Sequence, residues 1–499
     1  MKSAAHARLR ALNERPIRAD GRYVLYWMTA NRRSSHNFAL DRALRLCRDH
    51  GKPLLVLEAL RVGYEWASDR MHHFVMQGMA DNARAFADAG VRYYPYVERV
   101  AGEGRGLLKH LAESAVAVVA DDWPHFFLPR MLRAAAEQCP VSMEAVDSAG
   151  LWPLAAGPER AREPFHRAYD FRRFLQKHLP EHLKVRPAAQ PLDGLTVETG
   201  ARVPAGTDRR WPEATLDWLL DETSLAALPI DHSVPPAPLR GGAVEAGRWL
   251  RDFIKRDLVA YADRRTDLDG GGTSGLSPFL HFGHISAHAV FDAVAGQQGW
   301  HASALGEKGS GAREGWWGMD AGPEAFLDQL VTWRELGLHR SRTDPKFGRY
   351  EGLPDWARAS LAEHKDDRRD PVYTLAQFEA AQTHDELWNA AQNQLRREGI
   401  MHNYLRMLWG KKILHWSRSP QEAHRIMVEL NNKYALDGRD PNSDSGIGWV
   451  LGLFDRAWGP ERPVFGKIRY MSSDSTRRKL RVAGYVQRHN QDAASDLFG

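Results

Sequence analysis

The chain is poor in several features that would fix its class at once. It has two cysteines, Cys47 and Cys139. Two thiols cannot build a disulfide framework, and neither has CxxC or zinc-ligand neighbours, so no metal site is expected and a reducing compartment suits the chain. No apolar run reaches the ~20 residues needed to cross a membrane. The basic start MKSAAHARLRALNERPIRADGR lacks the continuous apolar stretch of a secretory signal, although a basic, acid-poor transit peptide stays open. No GxGxxG follows the first apolar run and no GxxxxGK[ST] occurs anywhere, which excludes a standard dinucleotide or P-loop reading. Neither sign of charge dominates: the formal net charge is +5, which permits a polyanionic partner without demanding one.

Tryptophan, by contrast, is plentiful, with 17 among 499 residues. Several stand among charged residues, as Trp333 does before Arg334-Glu335, which points towards stacking or electron-transfer work. In MHNYLRMLWGKKILHW, Tyr404, Met407, Leu408, Ile413 and Leu414 recur at helical spacing. Trp409 and Trp416 lie seven residues apart there; two helical turns set their Cα atoms roughly 10 Å apart. Indole is readily oxidised by one electron, so such a pair can pass a charge, though two core residues share the same spacing. Ser419-Pro420 ends that helix and caps another, with Glu422 in its first turn, running to about Lys433. Residues 437–442, DGRDPN, read as a polar loop. The stretch from Trp449 to Trp458 is apolar again and is closed by Pro460 and Pro463.

The N-terminal half alternates short β-prone runs with helical stretches. Residues 23–27, 54–57, 91–94, 115–120 and 141–146 read as five buried strands, with a helix over 38–50 between the first two. Such alternation predicts an α/β domain with a parallel, Rossmann-like sheet and right-handed crossovers, whose ligands bind beyond the strands' carboxyl ends. Arg32-Arg33 reads as solvated surface, with phosphate contact as the alternative. Residues 186–245 are rich in Pro, Gly and Thr and form an inter-domain linker with at most one short helix, over 214–220. From 246 the pattern is helical, so the expected domains are 20–185 and 246–485.

Within the helical part, Tyr261 leads to GGGTSGLSP over 270–278. Glycines, hydroxyls and then a helix start suit a phosphate, and equally suit a plain loop with a cap. Residues 299–323, GWHASALGEKGSGAREGWWGMDAGP, read as a surface insertion whose Trp316-Trp317 pair is either buried or offered to a partner. Residues 326–336 read as a buried helix.

Together these stretches resemble the class II cyclobutane pyrimidine dimer photolyases, flavoproteins of the photolyase/cryptochrome superfamily. The carrying motifs are MHNYLRMLWGKKILHW, LNNKYALDGRDPN and ERPVFGKIRYM. YVLYWMTANRRSSHNFAL, RMHHFVMQGM and VVADDWPHFFLPRML are similar to the family's α/β domain, which in some relatives holds an antenna chromophore. GGGTSGLSPFLHFGHIS is similar to its flavin-phosphate segment. The resemblance implies one FAD in an all-α domain, held at its pyrophosphate by Thr273, Ser274, Gly275, Leu276 and Ser277, with Tyr261 and Gly438 as further contacts. It makes Trp409, Trp388 and Trp416 an electron relay in that order from the flavin. Asn431 matches the residue facing flavin N5, and Arg406 with Asp437 an ion pair beside the ring. Trp333 and Trp449 match an aromatic pair flanking a flipped lesion, Met407 a further lesion contact, and Lys467 and Arg469 candidates for DNA phosphates. At one point the chain departs from its relatives: Gln329 stands where they carry a Glu that hydrogen-bonds the dimer. Gln keeps a donor and an acceptor but cannot supply a proton. The continuations LGLHRSR and SDSGIGWVLGLFD depart as well.

The implied function is a carbon–carbon lyase that repairs DNA with light. Photoexcited, reduced FAD gives an electron to the dimer, the ring splits, and the electron returns. Damaged DNA is the partner, the enzyme is expected to be a monomer, and its place is the cytoplasm and nucleoid of a bacterium or the nucleus or an organelle of a eukaryote. A blue-light photoreceptor with the same FAD and relay is the main rival, supported by Gln329. Repair of the (6-4) photoproduct is a second, with His402 available, and a helical DNA-binding protein without redox chemistry a third.

Overall fold

The computed structural model describes residues 6–307 and 309–490. The chain divides into two compact units. The first takes Met1–Ala161, His178–Asp252 and Gly275–Ser303; the second takes Arg162–Lys177, Phe253–Ser274 and Ala304–Gly499. The division therefore interleaves segments, and it falls inside the glycine-rich loop, between Ser274 and Gly275.

The first unit is built on a six-stranded sheet of β1 (Leu9–Ala11), β2 (Tyr23–Met28), β3 (Leu54–Leu60), β4 (Arg92–Val97), β5 (Ala115–Asp121) and β6 (Met143–Val146), in the order β1-β6-β5-β2-β3-β4. Five strands run parallel, as their near-continuous apolar sequences require when both faces are covered. Side chains alternate between the faces. Tyr23, Leu25 and Trp27 join Leu55 and Leu57 in one cluster with Leu107, Leu111 and Leu132. These come from helices α3 (Leu107–Ala112) and α4 (Leu128–Gln138). Val24, Tyr26 and Met28 join Leu54 and Val56 on the other face with Leu40, Leu44 and Phe86, from α1 (Phe38–His50) and α2 (Asp69–Asp88). The sheet is mixed, because β1 pairs antiparallel with β6 at its edge. Three residues with only half-buried or exposed side chains give no apolar signal, so this strand was illegible in the sequence. Pro95 lies in β4, the opposite edge, where a missing N–H costs no ladder bond to a further strand.

The strand order reverses between β2 and β5, and there the chain fastens itself. The Asp121 carboxylate accepts from the backbone N–H groups of Thr29, Ala30 and Asn31 at 2.8–2.9 Å and from the Tyr26 hydroxyl at 2.9 Å. Arg32 and Arg33 are not solvated surface. Arg33 is 1% exposed and donates to the carbonyls of His36, Ser148 and Gly283, while Arg32 pairs with buried Glu58 at 3.0 Å. A buried guanidinium survives only where carbonyls or carboxylates satisfy it, and sequence alone shows neither.

The 186–245 stretch carries three short helices, Thr207–Arg210, Leu216–Leu220 and Glu222–Ala226, where at most one was expected. The side chains of Thr215 and Asp221 cap the latter two, so each is fixed by a single local bond that leaves little periodic trace. The 299–323 segment, whose residues from Ala304 on belong to the second unit, is more than a surface insertion. Apart from Lys308, which lies outside the described residues, it is stitched inward: Gln176 accepts from the Gly311 N–H at 2.7 Å and donates to the Ala312 carbonyl at 2.8 Å. Trp316 and Trp317 are buried edge to face, 4.7 Å apart. The expected helix over 326–336 is three pieces: α5 (Ala321–Leu327), a π-helical stretch Asp328–Trp333, and α6 (Arg334–Thr343). Then follow α7 (Glu386–Glu398), α8 (Asn403–Trp416), α9 (Pro420–Tyr434) and α10 (Pro441–Val450). The Ser419 hydroxyl caps α9 by accepting from Glu422 N–H at 3.1 Å. The 437–442 loop is shorter than expected, because Asp440 caps α10 and Pro441 opens it.

The Asp121 clasp sets a stability test. Asp121→Ala strands three buried N–H groups and should cost about 3 kcal/mol, whereas Tyr26→Phe, which removes one bond, should cost about 1 kcal/mol. Urea titration followed by circular dichroism reads both; equal, small shifts would contradict the clasp.

Candidate active site

Helix α8 carries Trp409 and Trp416, and α7 carries Trp388. The Asp385 carboxylate starts α7 by accepting from the N–H groups of Leu387 and Trp388, and Gly399, at φ 70°, ends it in the left-handed conformation. All three indoles are buried, none more than 2% exposed. Trp388 Nε1 donates to the Trp409 carbonyl at 3.1 Å, and Trp409 Nε1 donates to Gln392 Oε1 at 2.9 Å. The Trp388 and Trp416 rings meet edge to face with centroids 6.2 Å apart. Trp388 thus touches both of the others, the ring of Trp416 and the backbone of Trp409. Trp416 is covered, not itself exposed: exposed His384 and half-buried Tyr373 pack edge-on against it at 4.9 and 5.7 Å.

Asn431 lies near the end of α9 and is 2% exposed. Its orientation is fixed by its neighbours. Asn432 Oδ1 accepts from the Arg439 backbone N–H at 2.9 Å, so the Asn431 atom facing that oxygen at 3.0 Å must be the amide nitrogen, which also donates to Ser443 Oγ at 2.7 Å. Asn431 Oδ1 is left as an acceptor that no group among the described residues uses. Gly438 makes this close turn possible: a Cβ there would stand 2.8 Å from the Asn431 carbonyl oxygen. Arg406 on α8 pairs with Asp437 at 2.9 Å, both half-buried. An acceptor of this kind fits a flavin N–H, and the ion pair beside it fits a polar ring edge.

In the glycine-rich loop, Gly271 and Gly272 lie at φ 87° and 89°, and a Cβ on Gly272 would approach the Arg264 carbonyl oxygen to 2.5 Å. Thr273 and Ser277 are exposed, Ser274 and Gly275 half-buried and Leu276 buried, and Ser277 opens the helix Ser277–His281. Tyr261 is a packed residue: its ring meets Phe253 and Phe326 edge to face at 5.8 and 5.4 Å, and burial raises its phenol.

Gln329 and Trp333 lie in the π-helical stretch, a form that recurs at functional sites. Both are half-exposed while the four residues beside them are buried, so they share the one open face. Asp328, next to Gln329, holds Arg172 through bonds of 2.7 and 3.1 Å. Helices α6 and α10 pack closely at Gly337, where a Cβ would meet the Pro441 carbonyl at 2.8 Å. Trp449, near the end of α10, is half-exposed, as is Met407 on α8.

Sequence reading missed the charges around Trp449. Lys411 is 0% exposed, donates from Nζ to the Val450 carbonyl at 2.6 Å, and stands 4.9 Å from the Trp449 ring centre. Arg469 lies 5.5 Å from the same ring and 4.0 Å from that of Trp458, and pairs with Asp455 at 3.0 Å. Asp455 also accepts from Trp458 Nε1 at 3.1 Å. Lys467 is exposed and paired with Glu461 at 3.0 Å. The FDRAW motif held the clue, an acid and an indole three residues apart, but only the fold brings Arg469 to both.

No family model matches the chain. It is similar to the deoxyribodipyrimidine photo-lyase of Methanothermobacter thermautotrophicus, with 32% identity over 96% of this chain and 97% of that protein. The deoxyribodipyrimidine photo-lyase of Oryza sativa subsp. japonica is 33% identical over 93% of this chain and 86% of its own. Among solved structures, a bacterial class III photolyase from Agrobacterium tumefaciens matches with a TM-score of 0.68 and 18% identity, over 94% of this chain and 86% of the other, which supports the fold. Among the described residues no helix is long and apolar enough to cross a membrane.

Burial pushes the Lys411 ammonium down from its ordinary 10.5 to about 7, with Asp455 opposing and Arg469 assisting. Between those two values the folded protein binds fewer protons than the unfolded chain, so the stability attached to Lys411 rises with pH across that window, and the full penalty applies below it. Lys411→Met should therefore gain relative to the parent as pH falls from 10 to 7, by up to about 4 kcal/mol. Denaturation midpoints at several pH values check this; a parallel pH dependence in both proteins would contradict it.

Proposed function

Because the chain belongs to the deoxyribodipyrimidine photo-lyase family, whose members repair DNA with light, we propose that it is a class II enzyme splitting cyclobutane pyrimidine dimers. The observation that carries this reading is the buried set of Trp409, Trp388 and Trp416, linked through Trp388, together with the unused acceptor of Asn431. The motifs MHNYLRMLWGKKILHW, LNNKYALDGRDPN and ERPVFGKIRYM support class II.

FAD would be held at its pyrophosphate by Thr273, Ser274, Gly275, Leu276 and Ser277, and at its ring by Asn431 and the Arg406–Asp437 pair, with Tyr261 and Gly438 shaping the surroundings. The chemistry it supplies when bound is one-electron reduction of the dimer under light, with the electron recovered after the ring opens. The protein's share is geometric and electrostatic. Asn431 Oδ1 accepts an N–H and so holds a proton in place. Trp333 and Trp449 flank the lesion once it has left the duplex, where a damaged, badly stacked pair costs least to flip. Met407 and Gln329 complete that pocket. Arg469, and Lys467 in competition with its Glu461 partner, meet DNA phosphates, which makes affinity fall with salt. Gln329 offers the dimer only a neutral hydrogen bond, so repair proceeds at reduced efficiency. The switch point between β2 and β5 is the place for an antenna chromophore. The chain acts as a monomer.

Illuminating the reduced holoprotein with a dimer-containing oligonucleotide should restore thymine absorbance; no recovery would transfer the reading to a photoreceptor. Gln329→Glu should raise the yield of splitting, since a charge-assisted bond adds about 1–2 kcal/mol, roughly tenfold in rate. Trp449→Ala should weaken binding to damaged DNA by about 1–3 kcal/mol, the worth of one stacked base. Trp409→Phe should abolish light-driven reduction of the flavin in the presence of a thiol while sparing repair by chemically reduced protein.

A further inference from the structure

Gln392 has a place in the relay that the reading above leaves unexplained. Its side chain is 0% exposed, one helical turn beyond Trp388 on α7. Its Oε1 accepts the Trp409 indole N–H at 2.9 Å, and its Nε2 donates to the Glu379 carbonyl at 3.4 Å. These two bonds fix which end of the amide faces the indole. The next indole is treated alike, because Trp388 Nε1 donates to a backbone amide carbonyl, that of Trp409, at 3.1 Å. Trp416 differs: among the described residues its Nε1 has no hydrogen-bond acceptor, and its ring lies one side chain below the surface, against exposed His384.

The chemistry of an oxidised indole makes this pattern consequential. Removing one electron turns the weakly acidic N–H into a strong acid. If a base takes that proton, the hole becomes a neutral radical and can move on only when the proton returns. An amide carbonyl is a good hydrogen-bond acceptor and a very poor base. It can hold the N–H without removing its proton.

We propose that Gln392 is a positioning residue that keeps the oxidised Trp409 protonated, so that the hole moves inward to outward as charge alone and the proton is surrendered only at Trp416. This rests on the relay reading above. The balance is simple. A bound oxidised flavin would, under light, supply the one-electron oxidation of Trp409; Trp409 is refilled from Trp388, and Trp388 from Trp416. Trp416 then releases its indole proton to water and is restored by one electron and one proton from an external thiol. No proton crosses to Gln392 at any step.

Transient absorption of the oxidised holoprotein after a light flash distinguishes protonated from neutral tryptophan radicals directly. In wild-type protein the early steps should show only the protonated radical and no slowing in D2O, while the last step, appearance of the neutral radical, should slow. An isotope effect on the early steps would overturn the proposal without any variant. Gln392→His keeps an acceptor and a donor in one side chain, but the acceptor is now basic, and burial keeps the imidazole neutral. The neutral radical should then form promptly at Trp409, and the yield of light-driven flavin reduction should fall about tenfold or more. Gln392→Met, which removes the bond without adding a base, should fall far less. If the His and Met variants behave alike, Gln392 only packs and the proposal is wrong. The relay reading fails separately: normal photoreduction in Trp409→Phe would show that another route carries the electron. Should Gln392→His bind no flavin, the isotope measurement on wild-type protein still decides.

Discussion

Two hydrogen bonds running in opposite directions between α7 and α8 set the geometry on which the candidate chemistry depends. Trp388 donates to the backbone of Trp409, and Trp409 donates back to Gln392 on the helix that carries Trp388. An indole has one donor and no acceptor, so each ring is oriented by the single bond it makes. Buried without that bond, each N–H would cost about 1–3 kcal/mol. The same two bonds that satisfy the rings also hold the helices in one register. Trp416 packs edge-on against Trp388, so Trp388 meets both the Trp416 ring and the Trp409 backbone.

The second unit places charge in its interior by the same rule, always with a partner. Asp328 holds Arg172, and Lys411 donates to the Val450 carbonyl. Asn431, Asn432, Ser443 and the Arg439 backbone form a chain of hydrogen bonds that fixes the Asn431 amide and leaves its oxygen unused. A hydrogen-bonded network of this kind favours a single arrangement of its side chains. The first unit follows suit at Asp121, where one carboxylate gathers the loop after β2.

How much of this was legible depended on whether a residue's role is local. The strands and helices that alternate apolar runs with caps were readable: Ser419 caps α9 as its sequence says, and the five parallel strands are those marked by their β-prone runs. Strand β1 was not, because an edge strand with half-exposed side chains has no apolar pattern. The π-helical stretch was hidden too, since one extra residue per turn does not change which residue types are used. Trp388 was singled out only through resemblance; the seven-residue spacing of Trp409 and Trp416 suits a relay and an ordinary core alike. Gln392, Lys411 and Asp455 escaped because what matters about them is the partner, and each partner is far away in sequence: 17, 39 and 14 residues respectively.

The surroundings of individual tryptophans separate them into kinds that composition cannot distinguish. Trp409 and Trp388 have amide carbonyls at their N–H groups, a setting in which an electron can leave and return without chemistry. Trp449 has Lys411 at 4.9 Å from its ring and Arg469 at 5.5 Å. Arg469 is itself paired with Asp455 at 3.0 Å, and burial pushes the Lys411 ammonium down to about 7, so the cations at the half-exposed Trp449 ring are offset in part. Trp416 lies between these cases. Lys412 stands 4.9 Å from its ring, but Asp385 faces that ammonium at 3.8 Å and offsets its field. These differences arise from neighbours, which composition does not show.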